Sequence, residues 1–122
     1  MAKHIETGNT GETIAIKHLK AKGYSIIETN WRQSPYEIDI IAQIGNDIVF
    51  VEVKTRRSIA HGFPEESVTK KKAQSLFTAA SIYLEEHGLE NEIRFDIIAV
   101  VLSGSRTEVL HIEDGISPFP EL

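Results

Sequence analysis

The chain contains no cysteine, so disulfides, thiolate metal sites and cysteine nucleophiles are excluded. It has no long apolar run either. No stretch approaches the roughly 20 residues of a membrane span, and Met1-Ala2-Lys3-His4-Ile5-Glu6 lacks the apolar segment of a signal peptide. A cytoplasmic protein without membrane attachment is expected. An excess of positive charge is also missing. The net charge of −5 argues against a protein that coats nucleic acid indiscriminately through a broad basic surface. There is no phosphate-cradling glycine loop, and the five histidines, His4, His18, His61, His87 and His111, stand singly without ligand spacing.

What is present is the composition of a globular domain. With 122 residues, 41% of them hydrophobic and 25% charged, one domain spanning 1–122 with a real core is expected. The charge is unevenly placed. Residues 1–84 hold 11 Lys/Arg against 9 Asp/Glu, a net +2, whereas residues 85–122 hold 2 against 9, a net −7. Six of the thirteen basic residues fall between Lys54 and Lys72, so a local patch able to face phosphates survives the acidic total. On charge alone, a solvated basic loop and helix start explains the same residues equally well.

Periodicity and turn signals divide the chain into seven elements. Asn9-Thr10-Gly11-Glu12 has capping-box spacing and Gly23 supplies a stop, which predicts a helix over 9–22 with Ala15, Ile16 and Leu19 on its buried stripe. Tyr24 to Arg32 reads as a strand that Ser34-Pro35 interrupts. Glu37 to Ile44 and Ile48 to Thr55 are the strongest strands, and Gly45-Asn46-Asp47 between them signals a hairpin. A loop from Arg56 to about Ser67 follows. A second helix over 69–87 puts Ala73, Leu76, Phe77, Ala80, Tyr83 and Leu84 on one side, and two further strands, 92–102 and 107–112, precede a proline-containing tail. The order is α-β-β-β-α-β-β, a mixed sheet with helices packed against it.

Within the two strongest strands stand charges that strands usually avoid: Asp39, and Glu52-Val53-Lys54. A two-residue turn makes paired positions sum to an odd number. Asp39 then lies opposite Glu52 or Lys54, and all three share one face. The other face is left to Ile38, Ile40, Ala42, Ile44, Val49, Val51 and Val53, a consistent core surface. A three-residue turn without a bulge would break that pattern, so hydrophobicity favours the clustered arrangement. A solvated ladder in which Lys54 neutralises a neighbour is the structural alternative. Against it, Ile41, Ile48 and Phe50 share the charged face, which implies cover, and covered charges are costly unless a ligand or metal compensates them. The chemistry to which the pattern points is metal-assisted phosphodiester cleavage.

Glu12 shares the buried stripe of the first helix and could face the strand carboxylates; equally, it could be the reciprocal residue of the Asn9 capping box. Arg94-Phe95-Asp96 is a further charged insertion, best read as structural pairing. Trp31-Arg32 could stack on or grip nucleic acid, although a lone tryptophan near a strand end is more often core.

These residues resemble the PD-(D/E)XK nuclease superfamily, in which an acidic residue on one strand and acid-x-Lys on the next sit in an αβββαβ core. More closely, Gly8-Asn9-Thr10-Gly11-Glu12, Asn30-Trp31-Arg32, Glu37-Ile38-Asp39, Phe50-Val51-Glu52-Val53-Lys54-Thr55-Arg56 and Arg94-Phe95-Asp96 resemble the YraN-type family of small bacterial proteins, over roughly residues 5–102. The literal superfamily motif is departed from at Ile38, where proline is usual. The resemblance implies an α/β, restriction-endonuclease-like fold with a central mixed β-sheet flanked by helices. It implies catalytic roles for Glu12, Asp39, Glu52 and Lys54. Asp39 and Glu52 would hold Mg²⁺ or Mn²⁺, Lys54 would act beside the attacking water, and Glu12 would be the helix-borne acid of resolvase-like nucleases. Arg32, Arg56, Arg57, Lys70, Lys71 and Lys72 would grip phosphates. The implied partner is nucleic acid, DNA sooner than RNA, met by a homodimer; a non-catalytic binding or assembly protein of the same fold is the rival reading.

Overall fold

A computed structural model describes residues 3–57 and 68–116, with side chains in the first helix described from Thr10 onward. The elements are α1 (Lys3–Ala21), β1 (Ser25–Gln33), β2 (Tyr36–Ile44), β3 (Asp47–Arg56), α2 (Lys70–Glu86), β4 (Ile93–Ser103) and β5 (Arg106–Ile112), in the expected order α-β-β-β-α-β-β. The strands form a single sheet of order β1-β2-β3-β4-β5. All neighbours are antiparallel except β3 and β4, which run parallel because α2 returns the chain between them. Most of the expected tail and most of the expected loop after Arg56 lie outside the described residues.

The sheet is buried on both faces, and each helix explains one. Ala15 and Leu19 of α1 meet Ile40, Ala42, Val49, Val51, Ile98 and Val100. On the opposite face, Ala73, Leu76, Ala79, Ala80 and Tyr83 of α2 meet Trp31, Ile41, Phe50, Phe95 and Ile97. The alanines let α2 lie close to the strands, and Tyr83 anchors it edge-on between Trp31 and Phe50, with ring centroids 5.9 and 6.1 Å apart. Trp31 is therefore a core residue and not a stacking platform. Central β4 reads as a continuous buried run from Phe95 to Val101, as a strand covered on both sides should.

Two expectations need correction. The backbone is helical from Lys3, so Asn9 lies inside α1 and the capping box marks no helix start. Nothing between Lys3 and Asn9 forbids helix, and the spacing reproduces a cap signature without a cap. The C-terminal stop holds: Tyr24 N–H bonds to Leu19 C=O and Gly23 N–H to Lys20 C=O, both at 3.0 Å, with Gly23 at φ +93°, a Schellman arrangement. The second correction is Ile38, which packs with Trp31 and Ile41 on the α2 face, whereas its six expected companions pack on the α1 face. Strict alternation fails where β2 parts from β3 while it stays paired with β1.

That parting of β2 and β3 creates the site. β2 and β3 pair from Ile44↔Asp47 to Ile40↔Val51. Beyond this point β2 continues alongside β1 as far as Gln33↔Tyr36, while β3 continues alongside β4 as far as Arg56↔Val101. The sheet forks, and the first residues inside the fork are Asp39 and Glu52.

Candidate metal and phosphate site

The hairpin register is the one with Gly45-Asn46 as the two turn residues, Gly45 taking φ +58°. Continued by one step, it sets Asp39 across from Glu52. Instead of a backbone bridge, Asp39 Oδ2 accepts the Val53 N–H at 2.8 Å, so the carboxylate occupies the place that a ladder carbonyl leaves vacant. Glu52 is buried, 7% exposed, on the α2 face. Its Oε1 lies 3.5 Å from Lys54 Nζ and 3.8 Å from Lys72 Nζ, so two ammonium groups flank one carboxylate.

Burial pushes the Asp39 carboxyl up to about 6, and the negative charge of Glu52 adds to the rise; the Val53 N–H opposes it, Glu12 raises it further and Lys72 lowers it. Two of those influences come from opposite faces of the sheet, Glu12 from α1 and Lys72 from α2. The fork thus lets both helices act on one strand carboxylate. Glu12 is brought near by a close approach of α1 to β3. A Cβ on Gly11 would overlap Thr55 Oγ1, so only glycine permits the helix to pass there. Asn30 Nδ2 donates to Glu12 Oε1 at 2.8 Å. Burial raises the Glu12 pKa, and the Asn30 bond partly offsets the rise.

The structure gathers Glu12, Asp39, Glu52, Lys54 and Lys72. Among the described residues, Lys72 is the basic side chain outside the expected catalytic set that reaches a site carboxylate. Arg32 lies at a neighbouring cleft of about 350 Å³, lined by Asn30, Trp31, Arg32, Glu37, Ile38 and Asp39, where its exposed guanidinium is 2.8 Å from Glu37 Oε2. Arg56 turns toward the Thr55 carbonyl at 3.3 Å, and Arg57, Lys70 and Lys71 are exposed at the end of β3 and the start of α2. They flank the site without touching its carboxylates.

Among the described residues no three His, Asp or Glu side chains converge as a metal cluster. The donor set on offer is two hard carboxylates, and the charge of Glu52 raises the cost of ionising Asp39. This fits Mg²⁺ or Mn²⁺, which binds through one or two carboxylates plus waters and a substrate phosphate, better than it fits an all-protein cage.

A second charged cluster lies on the α1 face, and the sequence reveals only part of it. Asp96 is fully buried and accepts from Arg94 Nε at 2.9 Å, His111 Nε2 at 2.8 Å and the Asp114 N–H at 2.9 Å. Burial would raise its pKa, but those bonds outweigh it and hold the carboxyl at about 2. The far side of His111 faces His18 Nε2 at 3.2 Å and Lys22 Nζ at 3.1 Å. Arg94 and Asp96 are structural, as expected. The meeting of His18 and His111 escapes sequence reasoning because residues 93 apart carry no local spacing signal.

Fold and fork define a small α/β protein with a carboxylate-lysine site at a strand junction. The chain belongs to the uncharacterised protein family UPF0102, the YraN-type family, which it matches over residues 11–100. It is similar to a UPF0102 protein of Flavobacterium psychrophilum, 46% identical over 119 residues that cover 98% of this chain and 100% of that one. A UPF0102 protein of Christiangramia forsetii is 42% identical over 119 residues with the same coverage, and one of Dehalococcoides mccartyi is 46% identical over 99 residues, 80% of this chain and 82% of that one. Among the described residues, no helix is long and apolar enough to cross a membrane.

Proposed function

We propose that this protein is a metal-dependent nuclease that hydrolyses phosphodiester bonds in structured or branched DNA. The observation that carries the reading is the fork, where Asp39 and Glu52 come together from diverging strands with Lys54 Nζ 3.5 Å from the Glu52 carboxylate. Asp39 and Glu52 would hold a divalent ion, which when bound supplies Lewis acidity toward water and phosphate. Lys54 and Lys72 would stabilise the negative charge that grows on the phosphate as water attacks, from fixed positions beside Glu52. Val53 N–H orients Asp39, and Glu52 is buried with Lys72 of α2 beside it. Arg32, Arg56, Arg57, Lys70 and Lys71 would contact flanking phosphates, which gives position and no sequence preference. A symmetric pair of chains would supply two such sites for two strands.

The test is a Mg²⁺ and Mn²⁺ titration against linear, single-stranded, flapped and four-way DNA, with a matching RNA as control. Cleavage that falls at least about a hundredfold in Glu52→Ala and Lys54→Ala supports the enzyme. Salt-dependent binding with no metal-dependent cleavage would favour a non-catalytic nucleic-acid-binding or assembly protein of the same fold.

A further inference from the structure

Asn30 stands in a row with the site carboxylates. The β1/β2 ladder runs Thr29↔Ile40 and Trp31↔Ile38 and skips the step between, which leaves Asn30 across from Asp39, the β2 residue next beyond the Ile40↔Val51 pair. Its backbone is at φ +52°, in the left-handed region that few side chains adopt but asparagine tolerates. Strained residues persist where the surroundings hold them, and they gather at functional sites. Here the amide spans two elements: its Nδ2 reaches Glu12 Oε1 on α1 at 2.8 Å while the residue lines the same cleft as Asp39. Glu12 would otherwise be free to turn toward solvent, away from a carboxylate whose charge opposes its own.

We propose that Asn30 is a positioning residue that holds the Glu12 carboxylate toward Asp39, so that Glu12 bears on the ion or its water. This rests on the nuclease reading above. Asn30→Gly separates the role from mere support of the strand, because glycine accepts the positive φ and removes the exposed side chain that bonds Glu12. The expected result is an unfolding temperature without metal that stays within a few degrees of wild type, with Mn²⁺ affinity, measured by isothermal titration, reduced about tenfold as for lost outer-sphere partners. Glu12→Gln should weaken Mn²⁺ binding similarly, and the double variant should be no weaker than Glu12→Gln alone. If wild type binds Mn²⁺ and Asn30→Gly binds it equally well, or if the two substitutions add in full, the inference is overturned while the nuclease reading stands. If wild type takes up no Mn²⁺, both fall.

Discussion

Asp39 is half-buried and Asp96 fully buried, and their surroundings drive the two carboxyls in opposite directions. The pKa of Asp39, pushed up from 3.8 to about 6, means that the folded state holds the proton more tightly than the unfolded chain does. The associated stabilisation is complete below about pH 4 and is lost as pH rises through about 6. Asp39→Asn should therefore flatten this part of the pH dependence and raise stability at pH 8 by about 3 kcal/mol, since the two states differ somewhat more than a hundredfold in proton affinity and each tenfold is worth about 1.4 kcal/mol. Thermal unfolding of both proteins from pH 4 to 8 checks it, and parallel curves would refute it. Asp96, held at about 2 once burial has been outweighed by His111, Arg94 and the Asp114 N–H, has the opposite sign: its contribution is present above pH 4 and disappears as pH falls through 2. Asp96→Ala strands Arg94 and His111 and should cost about 3 to 5 kcal/mol in urea unfolding at pH 7.

At the scale of elements, the tightest constraint is the crossing of α1 over β3. Alanine is the better helix former by about 1 kcal/mol, yet Gly11→Ala would drive a methyl into Thr55 Oγ1. The helix or the strand must shift, at a cost of about 1 to 3 kcal/mol. Thr55→Ala in the same chain removes that oxygen and should restore most of the loss, which calorimetry of the single and double variants would show. No periodicity announces this crossing; the sequence shows a glycine inside a helix and gives no hint of what lies opposite. The helix start is illegible for a related reason, since a capping box is a local pattern and the sequence places nothing beside it to show that the helix already begins at Lys3. In contrast, α2 is legible throughout, because Ala73, Leu76, Ala80 and Tyr83 recur at helical spacing and Thr69 caps it, its side chain accepting from Lys72 N–H at 3.1 Å.

For the molecule as a whole, hairpin parity fixes the β2/β3 register as far as Ile40↔Val51, and it carries no further, since Ile38 leaves the expected face. The covering of the sheet by helices follows from apolar alternation and element order. The fork does not, since β2 and β3 part after Ile40 and Val51 while β2 stays paired with β1 and β3 with β4, and those pairings join residues distant in the chain. The same holds for the union of His18, Lys22 and His111 around Asp96. The charge distribution suggests a test at this scale. If nucleic acid crosses the end of β3 and the start of α2, then replacing Arg57, Lys70 or Lys71 by alanine should reduce the slope of log affinity against log salt by about 1 each, with little change in preference among sequences. Unchanged slopes would place the nucleic acid elsewhere.

The bond from the Val53 amide to Asp39 Oδ2, 2.8 Å long, gives the protein an internal reporter. Anything that changes the charge on that carboxylate, whether a proton or a cation, alters the shielding of one backbone hydrogen in the middle of a rigid strand. In a proton–nitrogen correlation spectrum, the Val53 peak should move on acidification through about pH 6 and again on addition of Mg²⁺, while that of Val49, on the same strand but within the paired region, stays nearly fixed. Occupancy of the fork can thus be followed at a single peak before any substrate has been identified.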